Sequence, residues 1–162
     1  MSVDESSAPF TTTRRTFAEP DLLLGLVDAR AQISLNGTWR LIVDPMGVGE
    51  PGGFFGGFPR NKKVTTGMEL VEYDFDTAQQ VNVPGDWNTQ DERLFFYQGR
   101  CWYFRYLDYT PTSDTRAHLY FDGANFSTDV YLNGKALMSH AGGYVPFSKD
   151  CLLYTSPSPR DS

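Results

Sequence analysis

The chain has 162 residues, a formal net charge of −6 and 15% aromatic residues. This length fits one domain with a sizeable core. The acidic balance argues against a nucleic-acid partner, which would need clustered Lys and Arg. Two cysteines are too few for a disulfide scaffold, and no Cys or His pair has the spacing of a zinc site. We therefore expect no metal, no cofactor and no nucleic-acid partner.

The N-terminal region carries no targeting signal that we recognise. Residues 1–5 are acidic without an apolar run behind them, and the apolar stretch 22–27 is far too short to span a membrane. No membrane association is expected, and a cytoplasmic location is favoured over secretion. The mixed Ser, Thr, Pro and charged composition of residues 1–30 predicts a flexible arm, with 22–27 covering a sheet edge.

The first predicted strand follows within residues 33–44. Its side chains alternate as in a half-buried strand. One face carries Trp39, Leu41 and Val43, and the other carries Arg40 and Ile42.

Glycine and proline dominate residues 45–67, which predicts one long loop. Phe54, Phe55 and Phe58 lie inside it. Aromatic residues in loops usually anchor the loop to the core, so we favour that interpretation over a sugar-stacking or domain-docking surface.

Short strand patterns separated by turn signals fill the rest of the chain. Pro84 cannot donate to a ladder, so its strand ends there or lies at a sheet edge. Residues 101–109 are apolar on both faces, as expected for a central strand between two layers. Asn133-Gly134 is the strongest hairpin signal. Other strands are predicted within 81–88, 117–123, 129–132 and 135–138. No segment of 33–150 keeps a helical period, which predicts an all-β sandwich or jelly roll.

Six motifs follow one another along residues 34–150: SLNGTW (34–39), VPGDWN (83–88), YQGRCWYFR (97–105), FDGAN (121–125), VYLNG (130–134) and HAGGYVPF (140–147). In this order they resemble the N-terminal domain of family 2 glycoside hydrolases, the family of β-galactosidases and β-glucuronidases. The resemblance implies a jelly-roll β-sandwich over residues 31–150, related to galactose-binding domains.

In that family a separate (β/α)₈ barrel supplies two Glu residues for retaining hydrolysis of β-glycosides. The resemblance therefore implies that this chain is a fragment with no catalytic residue of its own, inactive by itself. A carbohydrate substrate would bind through the full-length enzyme. We also expect that this full-length enzyme can form a homo-oligomer. The alternatives are a free-standing carbohydrate-binding module and a structural domain that braces the barrel.

The C-terminal segment differs from the family pattern. After Asp150 the family continues into further strands, whereas CLLYTSPSPRDS (151–162) resembles a translated sequencing-adapter tail. We predict that residues 151–162 are not native. A sandwich without its last strands would leave an edge unpaired, so we expect an unstable or aggregating fragment.

Candidate site residues are few. Trp87, Asn88 and Arg100 are predicted in loops around the middle strands, and the resemblance implies that such loops approach the barrel's active site. Asn88 and Asp91 are therefore candidate substrate-binding residues. His140 precedes two glycines and is a third candidate, although a backbone hydrogen bond that fixes its loop is the favoured interpretation.

The remaining polar pairs and thiols have simpler interpretations. Asp91-Glu92 and Asp74/Asp76 are most simply solvated charges, since exposed carboxylates are rarely catalytic. Cys101 alternates with core positions and is most simply a buried thiol.

Overall fold

The computed structural model describes residues 16–21, 27–51, 53–54, 77–110, 112 and 115–151. Within these ranges, strands dominate, and helical structure is limited to one four-residue α-helix and short 3₁₀ turns. The predicted all-β class is confirmed. None of the helices in this part of the chain has the length and apolar character needed to cross a membrane. The elements are β1 (Gly37–Asp44), β2 (Gln79–Val83), α1 (Trp87–Gln90), β3 (Arg100–Phe104), β4 (His118–Phe121), β5 (Ser127–Leu132), β6 (Lys135–Ala141) and β7 (Phe147–Asp150).

The first sheet has the antiparallel order β2-β1-β3, with β1 in the centre. The prediction of a half-buried β1 is wrong for its second half, because Leu41 and Ile42 are both buried although they face opposite sides. Phe54 explains the difference, since it forms a buried cluster with Ile42 on the face that was expected to be open. As predicted, β2 ends immediately before Pro84 and lies at the edge of this sheet.

The strand predicted over 101–109 is shorter than expected and, in the part of the chain that the structure describes, lies at a sheet edge instead of the centre. It covers Arg100–Phe104 and, among the described residues, pairs with β1 alone. Its rings pack in two directions: Trp102 and Phe104 join the Ile42–Phe54 cluster, while Tyr103 lies 6.3 Å from Trp87 between ring centroids. An edge strand covered on both sides by other segments has the same sequence pattern as a central strand.

Two further sheets have two antiparallel strands each, β4-β7 and β5-β6. The predicted strand within 117–123 is confirmed as β4, and the predicted hairpin as β5-β6. Asn133 and Gly134 form its turn with φ of 50° and 76°. A two-residue hairpin turn of this kind needs positive φ at both positions, which Asn-Gly supplies with little strain.

The apolar core has two parts. The larger one is formed by residues of the two smaller sheets together with Cys151, and contains Val130, Leu137, Met138, Phe147 and Cys151. A line of ring contacts connects it to the first sheet: Phe54 lies 5.8 Å from Trp102, Trp102 5.8 Å from Tyr131, and Tyr131 5.3 Å from Phe17. These aromatic contacts join the first sheet to the β5-β6 hairpin and, through Phe17, to residues 16–21.

Asp44, at the end of β1, is a buried polar residue with 1% of its surface exposed. Its carboxylate accepts hydrogen bonds from the Val48 amide (2.8 Å), the Gly49 amide (2.8 Å) and the Trp102 indole N–H (2.9 Å). A Cβ on Gly49 would lie 2.1 Å from the Trp102 indole nitrogen, so only glycine lets the loop approach this closely. Asp44 therefore joins β1, the following loop and β3.

Burial by itself raises the pKa of the Asp44 carboxyl, but the hydrogen bonds from Trp102, Gly49 and Val48 outweigh it, and the pKa is lowered from 3.8. A carboxyl with a lowered folded-state pKa stabilises the fold fully above its unfolded pKa. That stabilisation is lost as the pH falls through the folded value.

Both thiols are covered by protein. Cys101 is half-buried, and burial raises its pKa to about 11. Cys151 is buried, its pKa is raised by burial, and its amide donates to the Ala117 carbonyl at 2.8 Å. Cys151 is the first residue of the predicted non-native tail. Residues 152–162, like Phe55, Phe58, Asp74 and Asp76, lie outside the described residues, so predictions about them stay predictions.

Replacing Asp44 tests its role in joining the first sheet. The variant Asp44→Asn keeps the size of the side chain but cannot accept all of its charge-assisted hydrogen bonds, so we expect a loss of about 2–4 kcal/mol in the free energy of unfolding at pH 7. Urea denaturation measures it, with Asp28→Asn at an exposed position as the control. The difference between wild type and D44N should shrink as the pH falls below about 4. A constant difference down to pH 2 would contradict this account.

Candidate functional site

The segment between β2 and β3 is an ordered turn rather than the predicted open loop. Asp86 caps α1, since its carboxylate accepts the Thr89 amide at 2.8 Å. Trp87 and Asn88 consequently lie on a helix, and Arg100 begins β3. The prediction of loop positions for these three residues is wrong: the Asp86 cap starts α1 at Trp87, and the ladder to β1 already begins at Arg100.

Asn88 holds the far end of this turn. Its side-chain NH₂ donates to three backbone carbonyls, of Leu94 at 2.6 Å, Phe95 at 3.2 Å and Tyr97 at 3.0 Å. The side chain of Trp87 reaches the same place, with its indole N–H 3.3 Å from the Tyr97 carbonyl. In this structure the Asn88 amide nitrogen is thus used for holding the turn.

Asp91 is the second residue whose side chain holds the turn, after Asn88. Its carboxylate accepts the Arg93 amide at 2.9 Å and the Arg93 guanidinium at 2.7 Å, and its side chain keeps only 9% exposure. The Arg93 side chain, followed by the Arg93 amide, lowers the pKa of Asp91 from 3.8 to about 2. The prediction of a solvated Asp91 is therefore wrong, whereas Glu92 is exposed as predicted.

The turn held by Asn88 and Asp91 carries two exposed rings. Phe95 is 58% exposed and Phe96 is 89% exposed. Their centroids lie 4.8 Å apart with an interplanar angle of 86°. We call this pair the Phe95–Phe96 ridge. Sequence reasoning missed it, although two adjacent phenylalanines after a turn are a visible signal of surface contact.

His140, the third candidate, lies on β6, and ring stacking is its main contact. Its ring is 4.2 Å from that of Phe147, at an angle of 17°. Its Nε2 atom is buried and has no hydrogen-bond partner among the described residues. Stacking on the core, rather than the predicted backbone hydrogen bond, therefore fixes this side chain.

Two further exposed rings lie just outside the β5-β6 hairpin, one before β5 and one after β6. The Gly142 amide donates to the Phe126 carbonyl at 2.7 Å, which joins the turns at the ends of β5 and β6. Phe126 is 70% exposed and Tyr144 is 96% exposed. We call these two residues the Phe126–Tyr144 patch, which sequence reasoning also missed.

The structure therefore brings Asn88 and Asp91 together in one turn and places His140 elsewhere. Among the described residues, no hydrogen bond or ring contact joins His140 to that turn. In the same part of the chain no group of three or more His, Cys, Asp or Glu side chains is arranged to hold a metal ion.

Asn88 can be tested by truncation. Asn88→Ala removes donors to three carbonyls, so we expect a loss of about 1–2 kcal/mol in stability and faster amide exchange in residues 91–97. Hydrogen exchange followed by NMR or mass spectrometry measures both effects. Asn82→Ala, at an exposed position of β2, is the matched control. Equal exchange in the two variants would show that the turn does not depend on Asn88.

The sequence was compared with family models and with curated proteins. No family model matches the sequence. A protein of Formosa agariphila provisionally named a β-glucuronidase is 28% identical over 87 residues, which are 51% of this chain and 11% of that protein.

Solved structures give a consistent picture. The β-glucuronidase of an uncultured Clostridium species is 26% identical with a TM-score of 0.56, over 76% of this chain and 19% of that one. A Ruminococcus gnavus β-glucuronidase is 26% identical with a TM-score of 0.57, over 78% of this chain and 18% of that one. The Lactobacillus rhamnosus β-glucuronidase is 24% identical with a TM-score of 0.58, over 79% of this chain and 19% of that one. The chain is thus similar to a part of these enzymes and spans less than one-fifth of their length.

Proposed function

We propose that this chain is the N-terminal, non-catalytic jelly-roll portion of a longer retaining β-glycosidase of the β-glucuronidase or β-galactosidase type, and that it is inactive by itself. The observation that carries the proposal is the likeness to a β-glucuronidase over 76% of this chain but 19% of that enzyme. The order of the sequence motifs supports the same family independently. The chain would then shape or brace a site whose chemistry lies in the remainder of the enzyme.

The carboxylates of the described residues support a non-catalytic role. A retaining glycosidase needs two carboxyl groups about 5–5.5 Å apart, one to protonate the leaving oxygen and one to attack the sugar. Here Asp44 accepts three hydrogen bonds. Asp91 is paired with Arg93, and Asp150 is paired with Arg116. All three groups hold the structure together, and the lowered pKa values of Asp44 and Asp91 do not suit a general acid.

Within this proposal, Asn88 and Asp91 contribute to substrate binding indirectly, by holding the turn that carries the exposed rings. Their polar atoms position the Phe95–Phe96 ridge, and the ridge would contact substrate or the neighbouring part of the enzyme. His140 would act only indirectly, since its ring stacks on Phe147 in the core.

Hydrolysis assays can compare the 162-residue chain with the full-length enzyme. We expect the purified 162-residue chain to leave chromogenic β-glucuronides and β-galactosides unhydrolysed, since under this proposal the two carboxyl groups of the reaction belong to the remainder of the enzyme. We expect the full-length protein from the same gene to cleave one of the two. Hydrolysis by the purified chain above a heat-denatured control would refute the proposal, as would a full-length protein inactive on every β-glycoside tested.

The exposed aromatic patch favours one alternative function, a free-standing carbohydrate-binding module. Sugar rings stack on exposed aromatic faces, and Tyr144 and Phe126 are 96% and 70% exposed. In that case the isolated chain should bind simple sugars with a dissociation constant on the order of 1 mM, about −4 kcal/mol.

Substitution of Tyr144 tests this alternative. If the chain is a binding module, Tyr144→Ala should weaken sugar binding at least about tenfold in NMR titrations, because one stacking face is lost. Phe96→Ala, which removes an exposed ring elsewhere, is the control. Absence of binding by the wild-type chain would leave the glycosidase proposal and exclude the module.

A further inference from the structure

Residues 16–21 lie between the two small sheets, and we call this segment the strap. Ala18 forms a parallel bridge with Met138 of β6, and Asp21 forms an antiparallel bridge with Ser148 of β7. The Ser139 amide donates to the Ala18 carbonyl at 3.3 Å, and the Asp21 amide donates to the Ser148 carbonyl at 2.8 Å. The strap therefore pairs with one edge of β6 and one edge of β7.

The other edges of these strands are already paired, β6 with β5 and β7 with β4. β6 and β7 also lie close to each other. The strap thus fills the gap between the two sheets and joins them in the order β5, β6, strap, β7, β4. Without it, each sheet would present an edge of unpaired backbone groups, which readily pairs with another extended chain.

Charge holds the strap at one end. The Asp21 carboxylate accepts the Lys149 ammonium and the Asp150 amide, at 2.7 and 2.8 Å. The same ammonium donates to the Glu19 carbonyl at 2.7 Å. At the other end, the Phe17 ring packs edge-on against Tyr131. The gap therefore holds an extended backbone, with an aromatic ring packed at its start and a carboxylate bound four residues later.

We propose that the gap between β6 and β7 is a binding groove for an extended acidic peptide, and that the strap is its resident, exchangeable occupant. Backbone pairing would supply affinity, and the pocket formed by Lys149 and the Asp150 amide would supply selectivity for the carboxylate. Exchange is feasible because, among the described residues, two backbone–backbone hydrogen bonds hold the strap, and its Thr16, Ala18 and Glu19 are exposed. This proposal does not depend on glycosidase activity.

The first test loosens the strap in the full 162-residue chain. Asp21→Ala removes both contacts of the carboxylate, and we expect the Ser139 and Asp150 amides to exchange about tenfold faster. Amides of the β1-β2 ladder should not change. Asp28→Ala, at an exposed aspartate, is the control, and Asp21→Asn, which keeps one acceptor oxygen, should give a smaller acceleration. Unchanged exchange at Ser139 and Asp150 in D21A would overturn the proposal.

The second test supplies the occupant in trans. A synthetic peptide with the sequence of residues 16–21, added in excess to the D21A chain, should restore protection of the Asp150 amide. The same peptide with alanine at its last position should not. Restoration by the acidic peptide alone supports a groove with a carboxylate pocket. No restoration of protection, or equal restoration by both peptides, refutes it. This comparison of the two peptides stays valid even if D21A is destabilised throughout, because both peptides are added to the same variant.

Discussion

The buried carboxylate of Asp44 is the constraint on which the first sheet depends. It satisfies the two backbone amides that open the long loop and the indole of Trp102 on β3, so one side chain fixes the strand, the loop and the neighbouring strand together. Trp102 in turn contacts Phe54 and Tyr131, and through Tyr131 the first sheet meets the hairpin β5-β6. A polar interaction therefore sets the position of the rings that form the apolar contacts between sheets.

Much of the fold could be predicted from the sequence because its signals are local. Alternation and Pro84 set β1 and β2, and Asn133-Gly134 sets the hairpin, since only a few residue types tolerate positive φ at both turn positions. Pairing was less predictable. The two apolar faces of residues 101–104 suit a central strand, yet the structure covers them with Phe54 and Trp87 from distant segments.

The candidate site was predictable only in part, because its geometry depends on which polar atoms are already in use. The sequence indicates Asn88 and Asp91, and the structure places both in one turn. It does not indicate that Asn88 binds backbone carbonyls or that Arg93 covers Asp91. Nor does it indicate that residues 16–21 complete two sheets, since a bridge between positions more than 100 residues apart leaves no local pattern.

The covered thiols have a practical consequence. With a pKa of about 11, Cys101 is almost entirely protonated at neutral pH, and only the thiolate reacts with alkylating reagents. Cys101 lies in the first sheet and Cys151 in the larger core, so separation of either part from its neighbours would return the thiol there to ordinary reactivity. Mass mapping of the two labelled cysteines over time would thus report which half of the molecule opens first, with no engineered probe.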